Sequence, residues 1–233
     1  MLAESLHPPP GRGYARGVNA ITLRVGECLV SASLHGAGST FVALGHGAGS
    51  NRETPFLARL AEALAASGRS VLLYNFPYSE ARRRVPDPPA VLEATVGVVA
   101  AEARSRGASY LVLGGKSMGG RIASQAVAKG LAANALVFLG YPLHPPGKED
   151  RLRDQHLGRI AAPMLFLQGT RDAFARWDLI EAVTRRLGAR ATLARIEGAD
   201  HGYKVLKASG LTPADVEAVL LDRTLRFLAS LGI

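Results

Sequence analysis

The stretch Tyr110-Leu111-Val112-Leu113-Gly114-Gly115-Lys116-Ser117-Met118-Gly119-Gly120-Arg121 decides the reading of this chain. An apolar run of strand type leads into Gly-x-Ser-x-Gly, and a pattern of small residues then opens a helix. A sharp strand-to-helix turn with a Ser at its apex is the sequence form of a nucleophile elbow. The small neighbours let the helix lie close to the sheet. The same residues have rival readings. Gly-Lys-Ser also closes a nucleotide P-loop, but that loop needs a Gly five residues before Gly115. Position 110 is Tyr110, so a P-loop is not expected. Gly45-His46-Gly47-Ala48-Gly49-Ser50 misses the dinucleotide fingerprint, because its third Gly is replaced by Ser50. The plainest alternative for Ser117 is a helix cap.

Composition bounds the rest. The chain has 233 residues, enough for one domain that buries about 70–75% of its unfolded surface. We expect a single domain over 1–233, with about 1–17 as an N-terminal extension. No run of apolar residues reaches membrane-spanning length, and the first ten residues lack the pattern of a signal peptide. Cys28 is the only cysteine, so an internal disulfide is excluded and a reducing cytoplasm is the expected location. The formal charge is +9, carried by 28 basic residues of which five are Lys. The Arg are spread out, apart from Arg82-Arg83-Arg84, and aromatics are few. Nucleic-acid binders concentrate charge and interleave aromatics, so no nucleic-acid partner is expected. A solvated basic surface is the simpler reading, and a preference for anionic substrates is the functional one.

Apolar runs alternate with amphipathic stretches, as in a mostly parallel, doubly wound α/β sheet. A β region over residues 19–33 turns at Gly26-Glu27. Further strands are expected at residues 41–44, 71–74, 110–113, 135–139, 163–167 and 191–196. Helices start at Thr54-Pro55, near Pro89, at Ser117, at Trp177 and at Thr212-Pro213. The first should bury Phe56, Leu57, Leu60 and Leu64. The last should bury Val216, Val219, Leu220, Phe227 and Leu228.

A Ser hydroxyl is a weak nucleophile that needs a base, and the base needs an orienting acid. Asp172 follows the strand at 163–167 through a short turn. His201 follows the strand at 191–196 in the same way. A turn Asp and a surface His are their plain alternatives, but Ser, Asp and His in that order, each after a strand, form a triad pattern. An oxyanion hole needs two backbone donors. Met118, just after the Ser, supplies one. His-Gly-Ala-Gly-Ser occurs at both 35–39 and 46–50. Only the second copy follows a strand and precedes a helix, so Ala48 supplies the other donor, while His46 shapes the loop. Lys116, Arg121 and His144 are candidate substrate-rim residues, each with a solvent-facing or packing role as its alternative. The segment 141–162 is short and polar, so no large lid is expected. No metal-ligand spacing appears, and neither a metal nor another cofactor is expected. Oligomeric state is not legible.

These segments resemble the α/β-hydrolase superfamily. They are His46-Gly47-Ala48-Gly49, Asn75-Phe76-Pro77-Tyr78, Gly115 to Arg121, Gly140-Tyr141-Pro142-Leu143-His144-Pro145-Pro146-Gly147, Gln168-Gly169-Thr170-Arg171-Asp172 and Gly198-Ala199-Asp200-His201. The chain is similar to small hydrolases related to dienelactone hydrolase, and most similar to the testis-expressed and chromatin-complex-subunit type of hydrolase-like domain. The resemblance implies an α/β-hydrolase fold without a large lid. It also implies a serine hydrolase that cleaves a small soluble ester or thioester through an acyl-enzyme. Some eukaryotic relatives of that type are complex subunits, so a catalytically idle binding module is the alternative.

Overall fold

The Val-, Leu- and Phe-rich runs become eight strands of one sheet in the computed structural model, which describes residues 18–233. The expected N-terminal extension lies outside the described residues. The strands β1 (Val18–Val25) and β2 (Cys28–His35) form the expected hairpin, with Gly26 at φ 59° between them. There follow β3 (Thr40–Gly45), α1 (Pro55–Ala66), β4 (Ser70–Tyr74), the short α2 (Pro77–Glu80), α3 (Pro89–Ser105), β5 (Tyr110–Lys116) and α4 (Met118–Ala128). The chain continues through β6 (Ala135–Leu139), β7 (Met164–Gly169), α5 (Trp177–Leu187), β8 (Ala191–Ile196) and α6 (Pro213–Ser230). The one-turn α2 was not expected from the sequence.

The strand order is β1-β2-β4-β3-β5-β6-β7-β8, antiparallel at β1-β2 and β2-β4 and parallel elsewhere. The chain leaves β3 toward β4 on one side and returns to β5 on the other. Ligands in open α/β sheets bind at such a switch point, beyond the carboxyl ends of the strands. Here Gly45 of β3 is paired with Gly115 of β5, directly below Ser117.

Alternation along the strands sends side chains to two faces. Ala43, Leu72, Leu111 and Leu113 pack under α3 and α4 with Leu92, Val96, Val99 and Ile122. Val42, Leu44, Leu73, Val112 and Leu165 pack under α1 and α6 with Leu57, Leu60, Leu64, Leu220 and Leu228. Each such fully buried side chain is worth about 1.5–3 kcal/mol, which outweighs any cap. The start of α1 illustrates this. Thr54 makes no capping bond to its helix, and its hydroxyl instead bonds to the Asn51 carbonyl and the Ser50 hydroxyl. By contrast, α6 opens on a full capping box between Thr212 and Asp215.

Three expectations need correction. Phe56 is only partly buried and packs on the Tyr203 ring. Val219 is 41% exposed, because it lies beside the inward stripe of α6 rather than on it. The connection between β6 and β7, expected to be short and polar, is so only in part: Lys148, Asp150 and Arg151 are exposed, but Tyr141, Leu143, Leu157 and Ile160 are buried against Phe138, Phe166 and α5. Among the described residues no helix is long and apolar enough to cross a membrane.

Candidate active site

Ser117 sits between β5 and α4 with φ 51° and ψ −113°. A non-glycine residue there is strained by about 1–3 kcal/mol and needs surrounding structure to hold it. Two glycines make that possible. A Cβ on Gly115 would meet the Gly45 carbonyl oxygen at 2.2 Å, and one on Gly119 would meet the same atom at 2.3 Å. Helix and strand therefore approach β3 closely enough to raise the Ser hydroxyl above the sheet. The Ser117 N–H donates to the Leu139 carbonyl, and the Ser117 carbonyl accepts from Arg121 N–H, the first bond of the helix.

The three residues expected after separate strands converge. His201 Nε2 lies 2.8 Å from Ser117 Oγ, and His201 Nδ1 lies 2.8 Å from Asp172 Oδ2. Asp172 is buried and oriented by two further donors. Gln168 Nε2 donates to Oδ2 at 2.6 Å and the Phe174 N–H donates to Oδ1 at 2.7 Å. With the carboxylate so held, the neutral imidazole carries its proton on Nδ1 and leaves Nε2 to accept from the Ser hydroxyl. The Phe174 ring lies 4.3 Å from the imidazole, centroid to centroid. Asp200 stiffens the His201 turn by accepting from the N–H groups of Gly202 and Lys204.

The loop expected to hold the second oxyanion donor abuts the Ser. A Cβ on Gly47 would stand 3.7 Å from Ser117 Cβ. His46 is fully buried at the base of this loop. Its Nδ1 bonds the Gly47 carbonyl at 2.8 Å and its Nε2 accepts from Phe76 N–H at 3.3 Å. Burial pushes its pKa down to about 4, so the ring is neutral and shapes the loop. Tyr78 braces the other side, accepting from Gly49 N–H at 3.3 Å and donating to the Gly47 carbonyl at 3.4 Å. The Met118 N–H belongs to the first turn of α4, where such groups have no intrahelical partner.

Two of the three rim candidates turn away from the cleft. Lys116 points inward, donating from Nζ to the His201 carbonyl at 2.6 Å and lying 5.3 Å from the Tyr203 ring centroid. Burial lowers its pKa to about 8, against the opposing pull of Asp172 and Asp200. His144 is buried, accepting from Arg176 N–H through Nε2 and bonding the Pro145 carbonyl through Nδ1. Arg121 stays half-buried near Tyr141 and Arg153. Sequence reading missed Gln168, Phe174 and Tyr203. Gln168, four residues before the acid, carried the only sequence signal: a buried amide at a strand end.

An open, mostly parallel sheet with a Ser elbow at its switch point, reached by His and Asp from later strand ends, is the architecture of a hydrolase. Residues 38–229 match the family model described as "Alpha/beta hydrolase domain", and the chain belongs to that family. Solved structures agree on the fold. A dienelactone hydrolase from Anabaena variabilis is 22% identical with a TM-score of 0.69, over 91% of this chain and 97% of that one. A serine hydrolase without a lid from Xanthomonas campestris is 18% identical with a TM-score of 0.69, over 93% and 98%. A dienelactone-hydrolase-like promiscuous phosphotriesterase from metagenomic libraries is 15% identical with a TM-score of 0.71, over 92% and 98%.

Proposed function

We propose that the protein is a serine hydrolase that cleaves a small soluble ester or thioester through an acyl-enzyme. The observation that carries this is the unbroken hydrogen-bond chain from Ser117 through His201 to Asp172. Ser117 Oγ attacks the acyl carbonyl while His201 Nε2 takes its proton. Asp172 holds the Nδ1 proton and stabilises the imidazolium. The N–H groups of Ala48 and Met118 receive the oxyanion; one such donor is worth about 2.7–4 kcal/mol in the transition state. His201 then protonates the leaving oxygen or sulfur. Water, deprotonated by the same His, releases the acid and restores Ser117.

The buried connection between β6 and β7 supports an open cleft and a small substrate, since it folds onto the core rather than over the Ser. The likeness to testis-expressed and chromatin-complex-subunit hydrolase-like domains is part of the same proposal. It brings in the idle module as the rival outcome. A fluorophosphonate probe separates the two. Labelling of the folded protein that disappears in S117A supports the enzyme; absence of labelling in folded wild-type protein overturns it.

A further inference from the structure

We propose that the Phe174 ring forms one wall of the leaving-group subsite, so that the preferred ester or thioester carries a flat, apolar leaving group. The proposal rests on the serine-hydrolase reading of Ser117. In that reading His201 Nε2 must protonate the departing atom. The leaving group therefore rests against the imidazole, within hydrogen-bond reach of Nε2. The ring that covers the imidazole is Phe174, with centroids 4.3 Å apart and planes inclined by 32°.

Phe174 follows the acid by two residues, and its backbone is fixed from both sides. Its N–H donates to Asp172 Oδ1 at 2.7 Å, and its carbonyl accepts from the His144 N–H at 2.9 Å. The next residue, Ala175, is buried, and its N–H donates to the Asp172 carbonyl at 3.1 Å. The Phe174 ring itself is only half-buried and, among the described residues, joins none of the three apolar clusters of the core. A Phe that served packing alone would sit in one of them. His201 keeps 22% of its side chain exposed although buried Asp172 seals its Nδ1, so that exposure lies toward Nε2 and Ser117. A leaving group at this open edge meets the uncovered part of the Phe174 ring. An aryl group makes an offset or edge-to-face contact there, which a compact fluoroalkyl group cannot. The pinned backbone orders the wall before substrate arrives, so little of that contact is offset by ordering on binding.

Two acetate esters whose leaving alcohols have similar acidity test this: phenyl acetate and hexafluoroisopropyl acetate. Each kcat/KM, read by pH-stat titration, is divided by the rate constant for imidazole-catalysed hydrolysis of the same ester in solution. The wild-type protein should favour the phenyl ester by about three- to tenfold. F174L keeps an apolar side chain and loses the flat ring, so it should bring the ratio to about one. F174Y keeps the ring and should keep the ratio. A wild-type ratio of one or less, or a ratio unchanged in F174L, overturns the wall while leaving the hydrolase reading intact. Equal losses on both esters in F174L would assign the ring to holding His201 alone. Hydrolysis of neither ester counts against the hydrolase reading instead. The wall is then judged by NMR titration with phenol: binding weakened in F174L supports it, and equal binding or none overturns it.

Discussion

Lys116 Nζ donates a 2.6 Å hydrogen bond to the backbone carbonyl of His201. The residue just before Ser117 thus ties down the loop that carries His201. The ammonium also sits near Gly140 and feels the Asp172 carboxylate, so it couples the ends of β5, β6, β7 and β8. Burying a cation this deeply is unfavourable, and its lowered pKa records that cost.

Replacing this cation should separate position from stability. In K116M, kcat for an activated ester should fall about ten- to hundredfold with KM little changed, the scale of a small misplacement of a catalytic group. A purely packing role would leave kcat unchanged. The stability effect has its own window. In the folded protein Lys116 holds its proton only below about pH 8, whereas in the unfolded chain it does so up to about 10.5. The unfolded state therefore binds more protons between those values, and wild-type stability should rise relative to K116M across that interval. A difference that stays flat from pH 8 to 10.5 would contradict this.

The Tyr78 hydroxyl links Gly47 and Gly49 across the loop that abuts Ser117. Y78F should keep the ring packed between His46 and Phe76 and lose only that link. Acyl transfer should slow by up to about tenfold, while the unfolding free energy drops by no more than the value of one hydrogen bond, about 1 kcal/mol. Stopped-flow release of 4-nitrophenol reads the rate. A normal rate in Y78F would mean the hydroxyl does not set the loop.

The elbow, the hairpin at Gly26 and the last helix are legible in sequence because each is written in contiguous residues. Small residues mark close approach, a turn marks reversal, and Thr212-Pro213 marks a start. The order of strands is less so. That β4 lies outside β3, and that β2 pairs with β4 antiparallel, depends on which faces need covering. Side-chain direction at the site is not legible at all. Lys116 and His144 look like rim residues because they neighbour Ser117 and a loop. What turns them inward is supplied by His201 and Arg176, which are remote in sequence. Gln168 and Phe174 escape notice for the same reason: their value lies in the two hydrogen bonds that hold Asp172. Val219 is missed because a broad apolar stripe is easily read one residue too wide.

The pH response of the fold follows from His46. Its pKa is lowered to about 4 by burial, against 6.5 in an unfolded chain. The stabilisation is complete above 6.5, where both states are neutral. It is lost as pH falls toward 4, because the unfolded chain takes up the proton first. The full interval corresponds to about 3 kcal/mol. His156, also near 4, steepens the loss. Urea unfolding between pH 7 and 4 should show this decline, with a shallower slope in H46Q. Equal slopes in the two proteins would remove His46 from the account.

The strain at Ser117 gives a last test, because it sets stability against reactivity at one residue. At φ 51° and ψ −113° Ser117 occupies a conformation that a side chain disfavours and glycine does not. S117A removes the hydroxyl and keeps the Cβ, so it should melt close to wild type. S117G removes the Cβ as well and relieves about 1–3 kcal/mol of backbone strain, set against about 1 kcal/mol of extra chain entropy in the unfolded state. S117G should therefore equal or exceed S117A in stability, against the ordinary rule that Gly is worse than Ala. Both variants should be inactive. If calorimetry finds S117G less stable than S117A by the usual margin, the elbow stores no strain, and the tight packing of Gly115 and Gly119 against Gly45 serves only to bring the helix close.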